Sequence, residues 1–198
     1  MKYLKFFIAT IFFGVLLLLI FWAHITFLKV NVVFYAAMLD GVLATLLMLL
    51  VVSFFKWLKV FSVFEKVQLG LCWLLLGYAY AISIPTVIDR SLSFYTLEKL
   101  QQRGGGIQLA AFGGVYANEY MKEHRLVDVR LTEQQQSGTI VIENGCVKLT
   151  ARGHALATAS RFFRAHFLPK QRLLMGEYSS DLTDPFKSST AQVDYLCK

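Results

Sequence analysis

Residues 6–28 read FFIATIFFGVLLLLIFWAHITFL, and this run holds one ionisable side chain, His24. A helix of that length spans roughly 34 Å, enough to cross a hydrocarbon core of roughly 30 Å with some tilt. Two more apolar blocks follow, Val32–Phe55 interrupted by Asp40 and Val67–Ile88 with Pro85 near its end. Lipid offers a backbone no hydrogen-bond partners, so three such blocks predict three transmembrane helices, over about residues 6–28, 32–55 and 67–88. A cleaved signal peptide does not fit the first block: its apolar run is too long, and no small-residue cleavage site precedes the second.

The links between blocks differ in character. Lys29-Val30-Asn31 is short, which makes the first two helices a tight antiparallel hairpin. Residues 56–66, KWLKVFSVFEK, set Lys56, Lys59 and Lys66 among Trp57, Leu58, Phe61 and Phe64. That mixture suits a short segment lying in the interface with its lysines reaching for phosphate. Three spans place the N-terminus and this link on one side. Lys2, Lys5, Lys56, Lys59 and Lys66 stand there, against Lys29, Arg90, Lys99 and Arg103 on the other. Five against four barely tilts the N-terminus toward the cytoplasm.

Residues 89–198 read as soluble, so the chain divides into a membrane part, 1–88, and an appended part, 89–198. The net charge of +7 is spread over both. Six lysines oppose Asp40 and Glu65 in the first, and fourteen basic groups oppose eleven acidic ones in the second. So modest an excess fits an anionic membrane surface better than a dedicated nucleic-acid binder. Cys72 lies inside the third block, leaving Cys146 and Cys197 to pair in the soluble part. Two cysteines make no disulfide framework, which favours a reducing compartment and, slightly, a cytoplasmic C-terminal domain. There is no CxxC, HExxH or GxSxG, so the sequence offers no catalytic residues, no metal ligands and no cofactor site.

Ser91–Gln102 has helical spacing, with Ser91 as its cap and Leu92, Phe94, Tyr95, Leu97 and Leu100 on one broad face. Arg103-Gly104-Gly105-Gly106 stops it. A short strand is expected at Ile107–Leu109, a second helix at Phe112–Glu123 and a third at Asp128–Ser137. Two β-prone runs, 139–142 and 146–149, then flank Glu143-Asn144-Gly145, a strong hairpin signal. A closing helix is expected over about His154–Phe167.

The stretch SGTIVIENGCVKLTARGHALA, residues 137–157, resembles the winged-helix superfamily: a glycine ends the third helix, a hairpin forms the wing, and an LT-x-x-G step enters the closing helix. The resemblance covers residues 91–167 and implies a C-terminal α+β domain over 89–167, followed by a tail over 168–198. DNA binding is the commonest role of that superfamily. Here the third helix offers Arg130 and Gln134 to Gln136 but also Asp128 and Glu133, and the wing tip is acidic. Affinity for DNA comes mostly from neutralising phosphate, so nucleic acid is disfavoured as a partner.

Two groups of residues are candidate sites. His24 and Asp40 both fall toward the same membrane face of a tight hairpin, making an intramembrane polar pair or a contact that fixes helix packing. Arg103, Arg152, Arg161, Arg164 and Arg172 are candidate contacts for phosphate, on an anionic lipid or lipid-linked phosphate, or for an acidic partner. Arg103 with its glycines is a weak phosphate-nest pattern. Asp181 and Asp184 read as a turn before Pro185 rather than a cation site. The expectation is an integral plasma (inner) membrane protein without enzymatic activity. It would be an accessory or regulatory subunit binding a larger membrane protein, such as an envelope glycosyltransferase or transporter. A membrane-tethered transcription regulator and a small enzyme acting on a phosphorylated lipid are the alternatives.

Overall fold

The computed structural model describes residues 2–182, 185–186 and 197. It divides into two compact units, Met1–Tyr120 and Met121–Lys198.

The first unit opens with α1 (Lys2–Phe27) and α2 (Val33–Phe54), followed by a 3-10 turn (Lys56–Leu58) and α3 (Val63–Ala81). All three are long and apolar enough to cross a membrane. Their shared core is built at four-residue intervals, one side chain per turn: Ala9, Phe13 and Leu17 on α1, and Ala44, Met48 and Val52 on α2. Leu69 and Trp73 of α3 complete it. The Trp73 ring stacks on Phe13 with centroids 5.5 Å apart, and its Nε1–H donates to Thr10 Oγ1 at 3.2 Å. Leu58 and Phe61 are buried against this core, so the link between the second and third spans turns apolar side chains onto the bundle and leaves Trp57, Lys56 and Lys59 exposed.

Helix α3 begins on a cap that the residue types dictate. Ser62 accepts from the Glu65 N–H at 3.4 Å, and Glu65 accepts in return from the Ser62 N–H at 2.8 Å. Glu65 also binds Lys2 at 2.7 Å, tying the start of α1 to the start of α3. Pro85, which has no N–H, lies in a π turn over Ile82–Thr86, after which one helical turn, Val87–Arg90, ends the third span. Ser91 then caps α4 (Leu92–Gln102), accepting from Phe94 N at 3.3 Å.

The broad apolar face expected on α4 is not what packs. Leu92, Phe94 and Leu97 are exposed, while Tyr95 and Lys99 are buried. The strand expected at Ile107–Leu109 is absent too. Gly104 and Gly105, at φ of 80° and 98°, give their N–H groups to Gln101 O and Leu100 O, closing the helix, and Leu109–Ala111 is a 3-10 turn. Residues 112–120 form α5, one α turn running into a π segment, Val115–Tyr120.

In the second unit a helical turn (Met121–Glu123) precedes α6 (Leu126–Gln136), the hairpin β1 (Ile140–Glu143) and β2 (Cys146–Leu149), and α7 (Ala151–Phe167). The hairpin turns through Asn144 and Gly145 at φ of 52° and 76°, as its sequence demands. A second hairpin, unforeseen in the sequence, joins β3 (Arg172–Leu174) to β4 (Glu177–Ser179) through Met175 and Gly176. Each hairpin stands as its own two-stranded sheet. Helices and a hairpin stand at the expected places, but among the described residues neither sheet takes up a third strand, and a winged-helix domain is not shown.

The LT-x-x-G step has a physical cause. The Thr150 hydroxyl donates to Gly138 O at 2.8 Å and accepts from Gly153 N at 3.1 Å, holding the first turn of α7 on the start of β1. A Cβ at Gly153 would collide with the Thr139 carbonyl oxygen, a backbone atom that cannot step aside alone. Alanine favours helix over glycine by about 1 kcal/mol. The expected result is nevertheless that Gly153→Ala lowers stability, read as a lower melting temperature of the detergent-solubilised chain; an equal or higher one contradicts this packing.

Candidate functional site

The short link after Phe27 brings the last turn of α1 beside the first turns of α2. His24 Nδ1 and Asp40 Oδ1 lie 2.8 Å apart, a hydrogen bond between imidazole and carboxyl group. The Asp40 side chain is 1% exposed and that of His24 15%. Asp40 Oδ2 is buried with no hydrogen-bond partner among the described residues.

Two features of the surrounding helices place the pair. Gly41, next to Asp40, packs against Gly77 of α3, where a Cβ added to Gly77 would stand 3.1 Å from Gly41 Cα. Backbones this close need glycine on both sides. Tyr80, three residues beyond Gly77, sets its ring against Phe21 of α1 at 5.7 Å. All three spans therefore converge on one carboxylate. The short link placed His24 and Asp40 toward the same membrane face; the approach of α3 rests on the Gly41–Gly77 crossing, which no single span displays.

A second polar cluster joins α4 to α5. Lys99, 4% exposed, binds Glu119 at 2.8 Å, and Arg103 binds the same carboxylate at 2.9 Å. The Tyr95 and Tyr120 rings meet at 4.7 Å, and the Thr96 and Tyr116 hydroxyls are 3.0 Å apart. The Lys99 ammonium, followed by the Arg103 guanidinium, holds the Glu119 carboxyl below its usual range. The Arg103 guanidinium is thus engaged within the chain.

The remaining arginines of interest belong to the second unit and are not gathered in one place. Arg152 and Arg161 are exposed on α7 but nine residues apart, which at about 100° per residue puts them on opposite faces. Arg164 reaches Leu182 O at 3.5 Å and borders a groove of about 410 Å³ with Leu156, Phe163 and Leu168. Arg172 is exposed on β3, opposite Ser179. On α6, Arg130 binds Glu133 at 3.0 Å; on the wing-like hairpin, Lys148 binds Glu143 at 3.1 Å. Asp181 N–H donates to Ser179 Oγ at 3.1 Å, and Asp184 lies outside the described residues. Cys146 and Cys197 form a disulfide with Cα atoms 5.9 Å apart.

The fold is mostly helical, with three helices long and apolar enough to cross a membrane. No family model, no curated protein and no solved structure matches the chain.

Removing one partner of a buried hydrogen-bonded pair leaves the other unsatisfied, at a cost of about 1–3 kcal/mol, whereas replacing both with apolar groups of similar shape is close to neutral. His24→Leu is therefore expected to lower the melting temperature in mild detergent sharply, and His24→Leu with Asp40→Leu to recover most of the loss. Equal melting for the single variant and the native chain would mean that the pair carries no structural weight.

The sign of a second effect follows from Glu119. A carboxyl whose folded value is depressed contributes stability above its unfolded value of about 4.3, and loses that contribution as pH falls through the lower folded value. Acid is expected to loosen the α4–α5 contact, read as a change in the tyrosine near-ultraviolet signal. Glu119→Gln should flatten that acid dependence, and a change that persists in the variant assigns it to another group.

Proposed function

We propose that this chain is a non-enzymatic accessory or regulatory subunit of the plasma (inner) membrane. Its second unit binds a larger membrane protein, such as an envelope glycosyltransferase or a transporter. The observation that carries this reading is how little the second unit buries. Among its described residues, Thr139, Ile140 and Gly153 are buried and all others are partly or fully exposed. On α7, Leu156, Phe163 and Phe167 fall at i, i+7 and i+11, one stripe of a 17-residue helix, and each is more than half exposed. Such a helix is marginal in water on its own and takes most of its stability from what packs on its apolar face. Arg161 and Arg164 stand on the same helix and suit an acidic rim on the partner.

The ion pairs of α6 and of the first hairpin weigh against the regulator reading. Arg130 and Lys148, the cations best placed for DNA, are both occupied by carboxylates of their own elements. The Cys146–Cys197 pair supports an exported second unit, since disulfides persist on the oxidising side of a plasma membrane. The lysines on the opposite side, Lys2, Lys5, Lys56, Lys59 and Lys66, support a cytoplasmic N-terminus, the same orientation. An exported domain has no access to DNA.

A photo-reactive residue at position 163 of the full chain is expected to cross-link one membrane protein in intact cells. Phe163→Asp should abolish its co-purification while leaving the chain's abundance in the membrane unchanged. A chain that runs as a partnerless monomer after mild extraction contradicts the accessory role. Alkylation of Cys146 and Cys197 in intact cells without prior reduction contradicts the exported orientation.

A further inference from the structure

At the end of the bundle opposite the His24–Asp40 pair, α1 and α2 leave a groove of about 530 Å³. Phe12, Leu16 and Leu19 wall it on α1, Met48 and Val51 wall it on α2, and Trp57 stands at its mouth. Its α1 wall begins at Ile8 and ends at Leu19, about 16 Å of helix and close to half of a hydrocarbon core of roughly 30 Å. The groove therefore runs the depth of one leaflet. Its walls are apolar along that length, which suits an extended hydrocarbon chain.

The mouth is cationic and built. Lys5 Nζ donates to Trp57 O at 2.6 Å and stands 4.9 Å from the centre of the Trp57 ring. A lysine ammonium has three donors, so this fixed geometry leaves two for an acceptor outside. Lys56 and Lys59 are exposed on either side of Trp57. Glu65, the acidic residue of this end, is bound to Lys2. Any lipid gains the chain packing; the lysines add a preference for a negative headgroup.

We propose that the groove between α1 and α2 binds one acyl chain of an anionic phospholipid, whose phosphate is held by Lys5 with Lys56 beside it. The site belongs to the leaflet on the N-terminal side. It is independent of the partner-binding role of the second unit.

The test uses the full chain reconstituted in phosphatidylcholine vesicles, with a fixed small fraction of lipid brominated on its acyl chains. Trp22→Phe removes an exposed indole from the other end of α1, and Trp73, enclosed in the core, serves as the internal control for folding. Brominated phosphatidylglycerol should quench Trp57 as though about fivefold enriched over brominated phosphatidylcholine, the ratio expected for one well-placed lysine at an anionic headgroup. The enrichment should vanish in Lys5→Gln. It should also vanish in Val51→Phe, which fills the groove at a position 42% exposed and so leaves the core untouched. Equal quenching by the two lipids overturns the proposal. Enrichment that survives Val51→Phe overturns the groove as its seat.

Discussion

A carboxylate placed in hydrocarbon has to be met by another group of the protein, and the membrane bundle is arranged around how Asp40 is met. The cost of such a group at mid-membrane is about 2.5–3.5 kcal/mol even when the helix is free to adjust. His24 meets it across the hairpin at 2.8 Å, which fixes the register of α1 against α2. With that register set, Ala9, Phe13 and Leu17 fall opposite Ala44, Met48 and Val52, and the core follows turn by turn. On the other flank, Gly41 and Gly77 let α3 close until Asp40 is 1% exposed. The same closeness that excludes lipid leaves Oδ2 without a partner among the described residues, a polar group half satisfied where α2 and α3 pack most closely.

Much of this was legible in the sequence because membrane helices announce themselves by composition alone. The spans, the Ser91 cap, the Asn144-Gly145 turn and the pairing of His24 with Asp40 all rest on local chemistry or on a short link. What escaped needed knowledge of neighbours. The close approach of α3 beside Asp40 rests on two glycines on different spans. The Ser62–Glu65 capping box was present in the sequence but overshadowed by the apolar residues around it. Met175 at φ of 50° gave no warning, since methionine seldom takes that conformation, and the hairpin β3–β4 went unseen with it. The apolar face expected on α4 failed for a different reason. Glu119 neutralises Lys99 well enough for the lysine to be buried in place of Leu97.

The two units solve the burial problem differently. The first has a continuous core across its three long helices and ties its N-terminal end with Lys2–Glu65 and Lys5–Trp57. The second relies on local devices: a hairpin turn, the Thr150 cap, and the i,i+3 pairs Arg125–Asp128 and Arg130–Glu133. Exposed pairs of that kind contribute about 0.3–0.5 kcal/mol each, and a lone two-stranded hairpin is marginal in water. Such contacts shape a surface more than they stabilise a domain, which accords with a unit completed by something it binds.

The disulfide has a consequence for the fate of the chain after damage. Cys146 and Cys197, 51 positions apart, close a covalent ring that contains α7 and the second hairpin. A protease that cuts once inside that ring opens a loop and releases nothing. The aromatic stripe of α7 then stays tethered through whichever arm is uncut, the disulfide or the peptide. A cut between Cys146 and α7 would set that stripe adrift once the disulfide is also reduced.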